Sequence, residues 1–330
     1  MLNQPVSKRP LKVCVTGGTG FIGKELVASL LDLGVTVVVP TRNKSLLDIS
    51  SNYLQYIDCN LLDPSVDLQL CLAGCEVVFN CAGEIRNKAR MHDLHVTATQ
   101  RLLHAFLAEI KSHGRAGHWV QLSSVGAYGF ASPASAKRIV TEDTPPQPVG
   151  EYEVSKTRAD SLLMDIAQRN RDALTYSILR PSNVIGKNMP NNALRDWAAV
   201  IKKNLFVFIG PKNAISTYVH VRDVVDALIV CAFDRRAANQ IFNISNDCLQ
   251  VELVRAMAAA SHSHNPRYRI PEWLARVLAR VLGRHSRFPL KESRVDALVA
   301  RTQYTCEKLR SVLGITPKIN IPGAVKETIG

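Results

Sequence analysis

The sequence predicts an α/β fold in which a doubly wound parallel sheet is followed by a smaller carboxyl-terminal domain. Three observations carry this prediction. Short apolar runs alternate with helical patterns through roughly the first half of the chain, and glycines stand directly after the first run. Beyond Pro181 the alternation gives way to clustered proline and asparagine. Alternating strands and helices indicate a mainly parallel sheet that is covered by helices on both faces.

The strands are predicted from short apolar runs bounded by turn residues. Residues 11–16 form the first run, which ends at Gly17 and Gly18. The following runs are 35–40, a segment within 53–60, 77–81, 119–123 and 175–180. Because ligands of such sheets lie at the carboxyl ends of the strands, we expect a functional site there.

The helices are predicted from apolar spacing. Ile22, Leu26 and Leu30 stand four residues apart and define a helix that stops near Gly34. Longer helices are predicted at 93–110 and 152–169. In the later part we expect helices at 193–203, 249–261 and 271–282, and strands at 206–209, 216–221 and 241–244. The first domain is predicted to span residues 1–186 with a return near 216–245, and the second 187–330.

The composition is that of a globular protein, with 46% hydrophobic and 21% charged residues. No apolar stretch reaches the roughly 18 residues of a membrane-spanning helix, and the start lacks an apolar signal core, so a cytoplasmic location is expected. The 8 cysteines are scattered through apolar segments, which favours reduced, buried thiols. We therefore predict no metal site.

The net charge of +13 is concentrated late in the chain. Eight basic residues lie between Arg267 and Arg294, against Glu272 and Glu292. No nucleic-acid-binding motif accompanies them, so no nucleic-acid partner is predicted. The segment is interpreted as a surface for a phosphate-bearing substrate or for weak peripheral contact with a membrane. Within it, 271–282 is apolar and basic, and the favoured interpretation is a packed helix, with a membrane-surface helix as the alternative.

A glycine-rich turn is the first feature with chemical meaning. Gly17, Gly20 and Gly23 follow the first strand directly and open the first helix, together with Phe21 and Ile22. Glycines at such positions allow a tight turn, a close approach of the backbone to a pyrophosphate, and close helix packing. The free N–H groups and positive dipole of the helix start favour phosphate. The turn therefore predicts a bound dinucleotide.

The second strand ends without the acidic residue that usually accepts from the ribose 2′-hydroxyl of NAD. Its end reads Val39-Pro40-Thr41-Arg42-Asn43. Arg42 is suited to a 2′-phosphate, so the sequence leans towards NADP without excluding NAD; the alternative is a solvated surface arginine.

Three side chains suit proton transfer. Tyr152 and Lys156 are spaced four apart, which places both on one face of a helix. A nearby ammonium favours the phenolate form of a tyrosine, whose free pKa is about 10. Ser124 follows the fifth predicted strand, where its hydroxyl can hold a substrate oxygen. Each motif alone is weak, but their combination and order indicate a dehydrogenase-type centre.

This combination resembles the extended short-chain dehydrogenase/reductase family, of the NAD-dependent epimerase/dehydratase type that modifies nucleotide sugars. The resemblance runs nearly end to end. Gly17, Gly20 and Gly23 match its glycine turn, and Ser124, Tyr152 and Lys156 match its catalytic serine, tyrosine and lysine. It implies a Rossmann domain, a small substrate domain, an NAD or NADP cofactor and often a homodimer. His95 stands where the family usually has asparagine, which puts the backbone-bridging role of that asparagine in doubt.

The resemblance also implies further contacts. Cofactor contacts fall on Gly17, Gly20, Phe21, Ile22, Gly23, Arg42, Asn60, Leu61, Cys81, Ala82, Gly83, Tyr152, Lys156 and Pro181. As a hypothesis, we expect the substrate to contact Glu84, Asn183, Asn191, Asn192, Arg195 and Arg294, of which the last four are candidates for its diphosphate. The segment 83–86, with Arg294 and the late basic stretch, is similar to enzymes of lipopolysaccharide and other cell-surface polysaccharide synthesis.

Several functions stay open at this point. The leading expectation is an oxidoreductase of a nucleotide-activated sugar, either a 4-epimerase or a 4-keto reductase. A second is a reductase of a hydrophobic carbonyl compound of steroid or flavonoid type. A third is a redox-sensing regulator that binds NADP without catalysis, although such proteins tend to lose the tyrosine–lysine pair.

Overall fold

Residues 11–43, 49–282 and 291–329 are described by the computed structural model. The strands are β1 (Lys12–Thr16), β2 (Thr36–Thr41), β3 (Leu54–Asp58), β4 (Val77–Asn80), β5 (Gly117–Leu122), β6 (Lys137–Val140), β7 (Leu174–Pro181), β8 (Asn183–Ile185), β9 (Phe208–Ile209), β10 (Ile215–Ser216), β11 (Tyr218–His220), β12 (Gln240–Ile244), β13 (Cys248–Leu249), β14 (Arg269–Ile270) and β15 (Arg301–Tyr304).

The helices are α1 (Phe21–Asp32), α2 (Gln69–Leu72), α3 (Lys88–His92), α4 (Ala98–Ser112), α5 (Glu151–Arg169), α6 (Ala193–Lys202), α7 (Val221–Phe233), α8 (Gln250–Ala260), α9 (Glu272–Leu282), α10 (Glu292–Val299), α11 (Glu307–Leu313) and α12 (Ile321–Ile329). None of these helices combines the length and hydropathy that crossing a bilayer requires. Short 3₁₀ turns stand at Val125–Tyr128 and Arg235–Ala237, and a π-helical turn at Asp93–Thr97 joins α3 to α4.

Seven strands form one central sheet in the order β12-β7-β5-β4-β1-β2-β3. Every neighbouring pair in it is parallel. The chain builds β2 and β3 on one side of β1 and then β4, β5, β7 and β12 on the other, so the order reverses between β1 and β4. The carboxyl ends on either side of such a reversal leave a crevice, which is where ligands bind. The predicted α/β class with a doubly wound parallel Rossmann sheet is confirmed.

Helices cover both faces of this sheet. On one face, α1 and α7 pack Leu26, Leu30 and Leu228 against the odd residues Val13 and Val15 of β1. On the other face, α4 and α5 cover Cys14 and its neighbours, with Phe106, Trp119 and Leu163 at the centre. Strand residues on both faces are buried, which explains why the strand runs are continuously apolar rather than alternating.

The carboxyl-terminal lobe has a core of its own, formed by α6, α8, α9, α10 and α12 with the short ribbon of β9 and β14. Two later segments return to the first lobe: β12 extends the central sheet, and α7 packs on α1. The strand β15 also returns and pairs with β6.

Three element predictions differ from the structure. The helix expected at 93–110 starts at Lys88 and includes the π-helical turn, because Lys88–His92 buries only Met91 and has no apolar period to reveal it. The run 216–221 divides into β10 and β11, and 206–209 contains a two-residue strand. In this part the runs are shorter than the apolar pattern suggests, since their partners are short ribbons rather than the central sheet.

Candidate active site at the carboxyl edge of the sheet

The glycine-rich turn is closed by backbone contacts that leave no room for side chains. Gly17 has φ +66°, and a Cβ there would lie 2.8 Å from the backbone of Ala82. A Cβ on Gly23 would lie 2.1 Å from the carbonyl oxygen of Gly17. Gly20 donates its N–H to that same oxygen at 2.9 Å. The turn therefore presents bare backbone at the start of α1, as a pyrophosphate site requires.

A buried polar network holds this turn against the end of β4. Thr16 Oγ1 donates to Asn80 Oδ1 at 2.6 Å and accepts from the N–H of Ala82 at 3.2 Å. Asn80 Nδ2 in turn donates to Thr99 Oγ1 and Gln121 Oε1, both at 3.0 Å. Strands β1, β4 and β5 and helix α4 are thereby tied together. The network places 81–83 beside the turn, where the cofactor contacts of Cys81, Ala82 and Gly83 were predicted.

The ends of β2 and β3 form the outer part of this edge. The N–H of Asn43 donates to Thr41 Oγ1 at 3.1 Å, and Arg42 is exposed at the tip of the resulting turn. Asn60 Oδ1 accepts from the N–H of Leu62 at 3.2 Å, and the carbonyl of Leu61 accepts from Arg101 at 3.1 Å. The side chain of Asn60 thus stabilises its own turn, and the backbone carbonyl of Leu61 is held by the side chain of Arg101.

Ser124 and Lys156 are both anchored at the end of β5, and Tyr152 precedes Lys156 on α5. Ser124 caps the 3₁₀ turn that follows the strand, and its Oγ accepts from the N–H of Gly126 at 3.1 Å. Lys156 is buried, and its Nζ donates to the carbonyl oxygen of Leu122 at 2.6 Å. Tyr152 stands one turn earlier on the same face of α5. The carboxyl end of β5 therefore anchors both the serine and the lysine of the predicted set.

The pKa of Tyr152 beside Lys156 differs from the sequence-based expectation. Burial raises the pKa of Tyr152 to about 12, and the charges of Glu153 and Asp160 act in the same direction. Burial also lowers the pKa of Lys156, while the Asp160 carboxylate opposes that shift. The pKa of Tyr152 is thus raised rather than lowered in this state, in which the Lys156 ammonium donates to the carbonyl oxygen of Leu122. Tyr152 is therefore a protonated phenol at neutral pH.

His95 bridges the loop after β4 and the helix α5. Its Nε2 accepts from the N–H of Glu84 at 2.9 Å, so Nδ1 carries the proton and donates to Ser155 Oγ at 2.7 Å. The Ser155 hydroxyl in turn donates to the carbonyl oxygen of Tyr152 at 3.0 Å. The imidazole also meets the Tyr152 ring edge-on at 5.5 Å between centroids. The doubt over a bridging role at this position is resolved: the histidine bridges backbone and side chain at once.

This geometry requires a neutral imidazole. Burial and the nearby Lys156 ammonium lower the pKa of His95 to about 3. Protonation of Nε2 would remove the acceptor for the N–H of Glu84 and place a second cation beside Lys156.

A buried ion pair lies beneath Lys156. Asp160 stands one helical turn beyond Lys156, and its Oδ2 accepts from Arg180 Nη2 at 3.0 Å and from Ser123 Oγ at 2.7 Å. The guanidinium of Arg180 stacks 5.0 Å from the ring centroid of Tyr128. Asp160 Oδ1 is buried and has no hydrogen-bond partner among the residues that the structure describes. The sequence analysis missed this pair; its signal was an acid spaced four residues after Lys156 on an otherwise buried face.

Most of the residues predicted to contact the substrate form hydrogen bonds with other residues of the protein. Glu84 Oε1 accepts from the N–H groups of Arg86 and Asn87, which lowers the pKa of the carboxyl group. Asn183 Nδ2 donates to the carbonyl of Thr217 at 3.1 Å. Asn191 and Asn192 accept at the start of α6, the latter from Arg195. These asparagines thus have structural partners.

The remaining predicted residues, and one that was not predicted, lie as follows. Arg86, which the sequence analysis did not select for the substrate, donates to the carbonyl of Pro190 at 3.0 Å and so joins the loop after β4 to the loop before α6. Arg294 is exposed on α10 in the carboxyl-terminal lobe. Pro181 is buried at the end of β7, in register with Ile244 of β12. Arg284 and Arg287 of the predicted basic surface lie outside the described residues.

Comparison with known proteins gives a family match over most of the chain. The family described as "NAD dependent epimerase/dehydratase family" matches residues 13–245. The dTDP-6-deoxy-L-talose 4-dehydrogenase (NAD(P)(+)) of Kitasatospora kifunensis is 29% identical over 69% of this chain and 72% of its own length. The UDP-glucose 4-epimerase of Vibrio cholerae is 25% identical over 97% of this chain and 95% of its own.

Two other comparisons cover nearly the whole length. The decarboxylating sterol-4-alpha-carboxylate 3-dehydrogenase of Mus musculus is 26% identical over 99% of this chain and 92% of its own. Among solved structures, MoeE5 in complex with UDP-glucose and NAD superposes with a TM-score of 0.72 at 24% identity, covering 96% of this chain and 97% of that chain. The fold is therefore shared with that protein.

Replacement of His95 by asparagine should reduce the acid sensitivity of folding. The unfolded histidine titrates near pH 6.5 and the folded one near 3, so the unfolded state binds the extra proton and stability is lost as pH falls between these values. We expect the slope of unfolding free energy against pH to fall by up to about 1.4 kcal/mol per pH unit in that window. Urea titrations from pH 4 to 7 measure it, with the exposed His104→Asn as control. An unchanged slope would contradict a neutral, buried His95.

Replacement of Asp160 by asparagine should lower the unfolding free energy by about 3–5 kcal/mol, because the buried guanidinium of Arg180 loses its counter-charge. The double variant Asp160→Asn with Arg180→Met should recover much of this unfolding free energy, because it no longer buries an unpaired charge. The exposed pair Glu307–Arg310 provides the control, since Glu307→Gln should cost less than about 1 kcal/mol. Equal losses at Asp160 and Glu307 would show that the buried pair is energetically unimportant.

Proposed function

Because this chain belongs to the NAD dependent epimerase/dehydratase family, we propose that this NAD(P)-dependent enzyme acts on a nucleotide-activated sugar, as a 4-epimerase or a 4-keto reductase. The observation that carries the proposal is that Ser124 and Lys156 are both anchored at the carboxyl end of β5, with Tyr152 one turn from Lys156 on α5, at the same edge of the parallel sheet as the glycine turn. The similarity to a sugar 4-dehydrogenase and a UDP-glucose 4-epimerase supports the substrate class.

The residues at the edge of the sheet fit a dinucleotide. The turn from Gly17 to Gly23 offers bare backbone where a pyrophosphate would lie, and Ala82 packs directly against it. Asn60 and Leu61 would flank the adenine, and Pro181 and Lys156 would hold the nicotinamide end. When bound, the dinucleotide would supply or accept the hydride.

Side chains of the protein would hold the sugar oxygen and transfer its proton. Ser124 Oγ accepts from the N–H of Gly126, so its own proton remains to be donated, and we infer that it would go to the sugar oxygen. Tyr152 holds its phenolic proton in this state and can deliver it to that oxygen in the reducing direction. In the oxidising direction the phenolate is needed. Movement of the Lys156 ammonium from the carbonyl of Leu122 towards Tyr152 would lower the tyrosine pKa accordingly.

The choice between epimerase and reductase follows from how the dinucleotide is held. An epimerase returns the hydride to its product and retains its cofactor, whereas a reductase exchanges NADPH at every turnover. Purified protein can be denatured and the released nucleotide identified. Tightly held NAD supports the epimerase, and an empty site combined with NADPH consumption supports the reductase. Synthesis of cell-surface polysaccharide or lipopolysaccharide is the process we propose for either activity.

A hydrophobic carbonyl compound is the second candidate substrate. The specific observation in its favour is the end-to-end similarity to a sterol 3-dehydrogenase. Thermal shift separates the two candidates, because UDP or dTDP sugars should stabilise only an enzyme of nucleotide sugars. The intact set of Ser124, Tyr152 and Lys156 argues against the third candidate, a regulator that binds NADP without catalysis.

Replacement of Tyr152 by phenylalanine should lower kcat by about 100- to 10,000-fold, the range for loss of a general acid–base. Dinucleotide affinity should change little, because only the hydroxyl is removed. Turnover is measured with a panel of UDP and dTDP sugars, and affinity by nucleotide fluorescence. Tyr53→Phe, at a half-exposed site before β3, is the matched control. Retained turnover in Tyr152→Phe would refute the proposed mechanism.

Replacement of Arg42 by alanine should raise the KM for NADPH by about tenfold and leave that for NADH nearly unchanged, since a 2′-phosphate contact is worth on the order of 1.4 kcal/mol. Steady-state kinetics with both dinucleotides measure this, and the exposed Arg115→Ala serves as control. An equal effect on both dinucleotides would contradict a role for Arg42 in recognising the 2′-phosphate.

A further inference from the structure

Helix α9 packs with its small residues inward and its largest apolar residues outward. Ala275 and Ala279 are 0% and 4% exposed and face the core of the carboxyl-terminal lobe. Trp273, Val277 and Val281 are 66%, 47% and 64% exposed. Their spacing of four residues places them on one face of the helix. We call these three side chains the α9 stripe; a helix that served only to pack would bury them instead.

Ion pairs hold α9 in this orientation. Arg276 donates to Glu272 and to Asp296 of α10, each at 2.9 Å, and Arg280 donates to Glu292 of α10 at 2.7 Å. These contacts fix the side of the helix that faces α10. The outward position of the stripe is therefore set by polar contacts on the neighbouring face as well as by the close approach of the two alanines.

The surroundings of the stripe are basic and carry further exposed apolar side chains. Strands β9 and β14 are parallel, with Phe208 opposite Arg269, so the residues that lead into each strand run side by side. Leu205 and Tyr268 are both strongly exposed there. Lys202, Lys203 and Arg267 are exposed beside them. The segments 202–212 and 262–281 together hold seven lysine and arginine residues. Arg276 and Arg280 are paired with carboxylates of α9 and α10, so the excess positive charge comes from the other five, which are Lys202, Lys203, Lys212, Arg267 and Arg269.

We propose that this face docks on an anionic membrane surface, with the α9 stripe inserted among the lipid headgroups. An exposed tryptophan and two valines on one helix face, bordered by lysine and arginine, have the chemistry of an interfacial helix. The excess positive charge attracts anionic lipids over about one Debye length. This goes beyond the proposed function and does not depend on it.

Charge favours a membrane over a second copy of this chain. A contact between two copies through the stripe would bring together two surfaces that both carry an excess of lysine and arginine, between chains that each carry a net charge of +13. An anionic bilayer offers the opposite charge and an open surface, and the helix face is itself open rather than a groove.

Trp273 fluorescence tests the proposal directly, because Trp119 is fully buried and Trp197 is half-buried. Full-length protein is titrated with vesicles of pure phosphatidylcholine and with vesicles that contain phosphatidylglycerol, at low and high salt. We expect a blue shift and sedimentation with the anionic vesicles only, weakened at high salt. The triple variant with Trp273, Val277 and Val281 each changed to serine, followed by sedimentation, should bind at least about tenfold more weakly.

Two further variants make the result specific. Lys202→Gln with Lys203→Gln should weaken binding on the order of tenfold, since each cation near an anionic surface contributes severalfold. Leu33→Ser with Leu70→Ser removes two exposed apolar side chains of the first lobe and should leave binding unchanged. Acrylamide quenching of wild-type protein alone should show Trp273 to be accessible.

Three results would overturn the proposal. The first is no vesicle binding, or equal binding to neutral and anionic vesicles. The second is equal binding by the stripe variant and the Leu33/Leu70 control. The third is self-association of the wild type that the stripe variant abolishes, without vesicle binding, which would make the stripe a contact between copies of this chain.

Discussion

The buried contact between Asp160 and Arg180 fixes α5 across the carboxyl ends of β5 and β7. Ser123, directly after β5, donates a second hydrogen bond to the Asp160 carboxylate. Lys156 of α5 donates a hydrogen bond to the carbonyl oxygen of Leu122 in β5. The proposed catalytic groups depend on this placement, because Tyr152 and Lys156 are carried by α5 while Ser124 extends from β5. A buried ion pair contributes little net stability, but losing one partner is costly, so the pair specifies where the helix lies more than how stable the fold is.

His95 links this helix to the other wall of the crevice. Its two ring nitrogens join the N–H of Glu84 to Ser155, and the same loop lies against the glycine turn through Ala82. A side chain that must stay neutral thus connects the proposed cofactor edge with the proposed proton donor. The π-helical turn at Asp93–Thr97 carries this histidine, which is consistent with the frequent occurrence of such turns at functional sites.

The two lobes use their charged residues differently. Beside the crevice, Lys156, Asp160 and Arg180 are buried and paired, so their effect is on local pKa values and position. In the carboxyl-terminal lobe, Lys202, Lys203 and Arg267 are exposed next to apolar side chains. Exposed charges of this kind contribute little to folding and act mainly on association. The net charge of +13 therefore concerns partners rather than the fold.

The sequence by itself determined the fold class, the order of the main strands and helices, the glycine turn, and the face of α5 that carries Tyr152 and Lys156. These features depend on residues close in the chain, and local spacing encodes them. Only the tertiary structure decided that His95 meets Glu84, that Asp160 meets Arg180, and that Lys156 is engaged by Leu122 rather than by Tyr152. These contacts join residues from 11 to 34 positions apart, whose meeting depends on how whole elements pack. Tertiary packing also decided the orientation of α9, because tryptophan, valine and alanine all count as apolar in a periodic pattern. The space in the core of the carboxyl-terminal lobe, together with the ion pairs to α10, selects which of them faces inward.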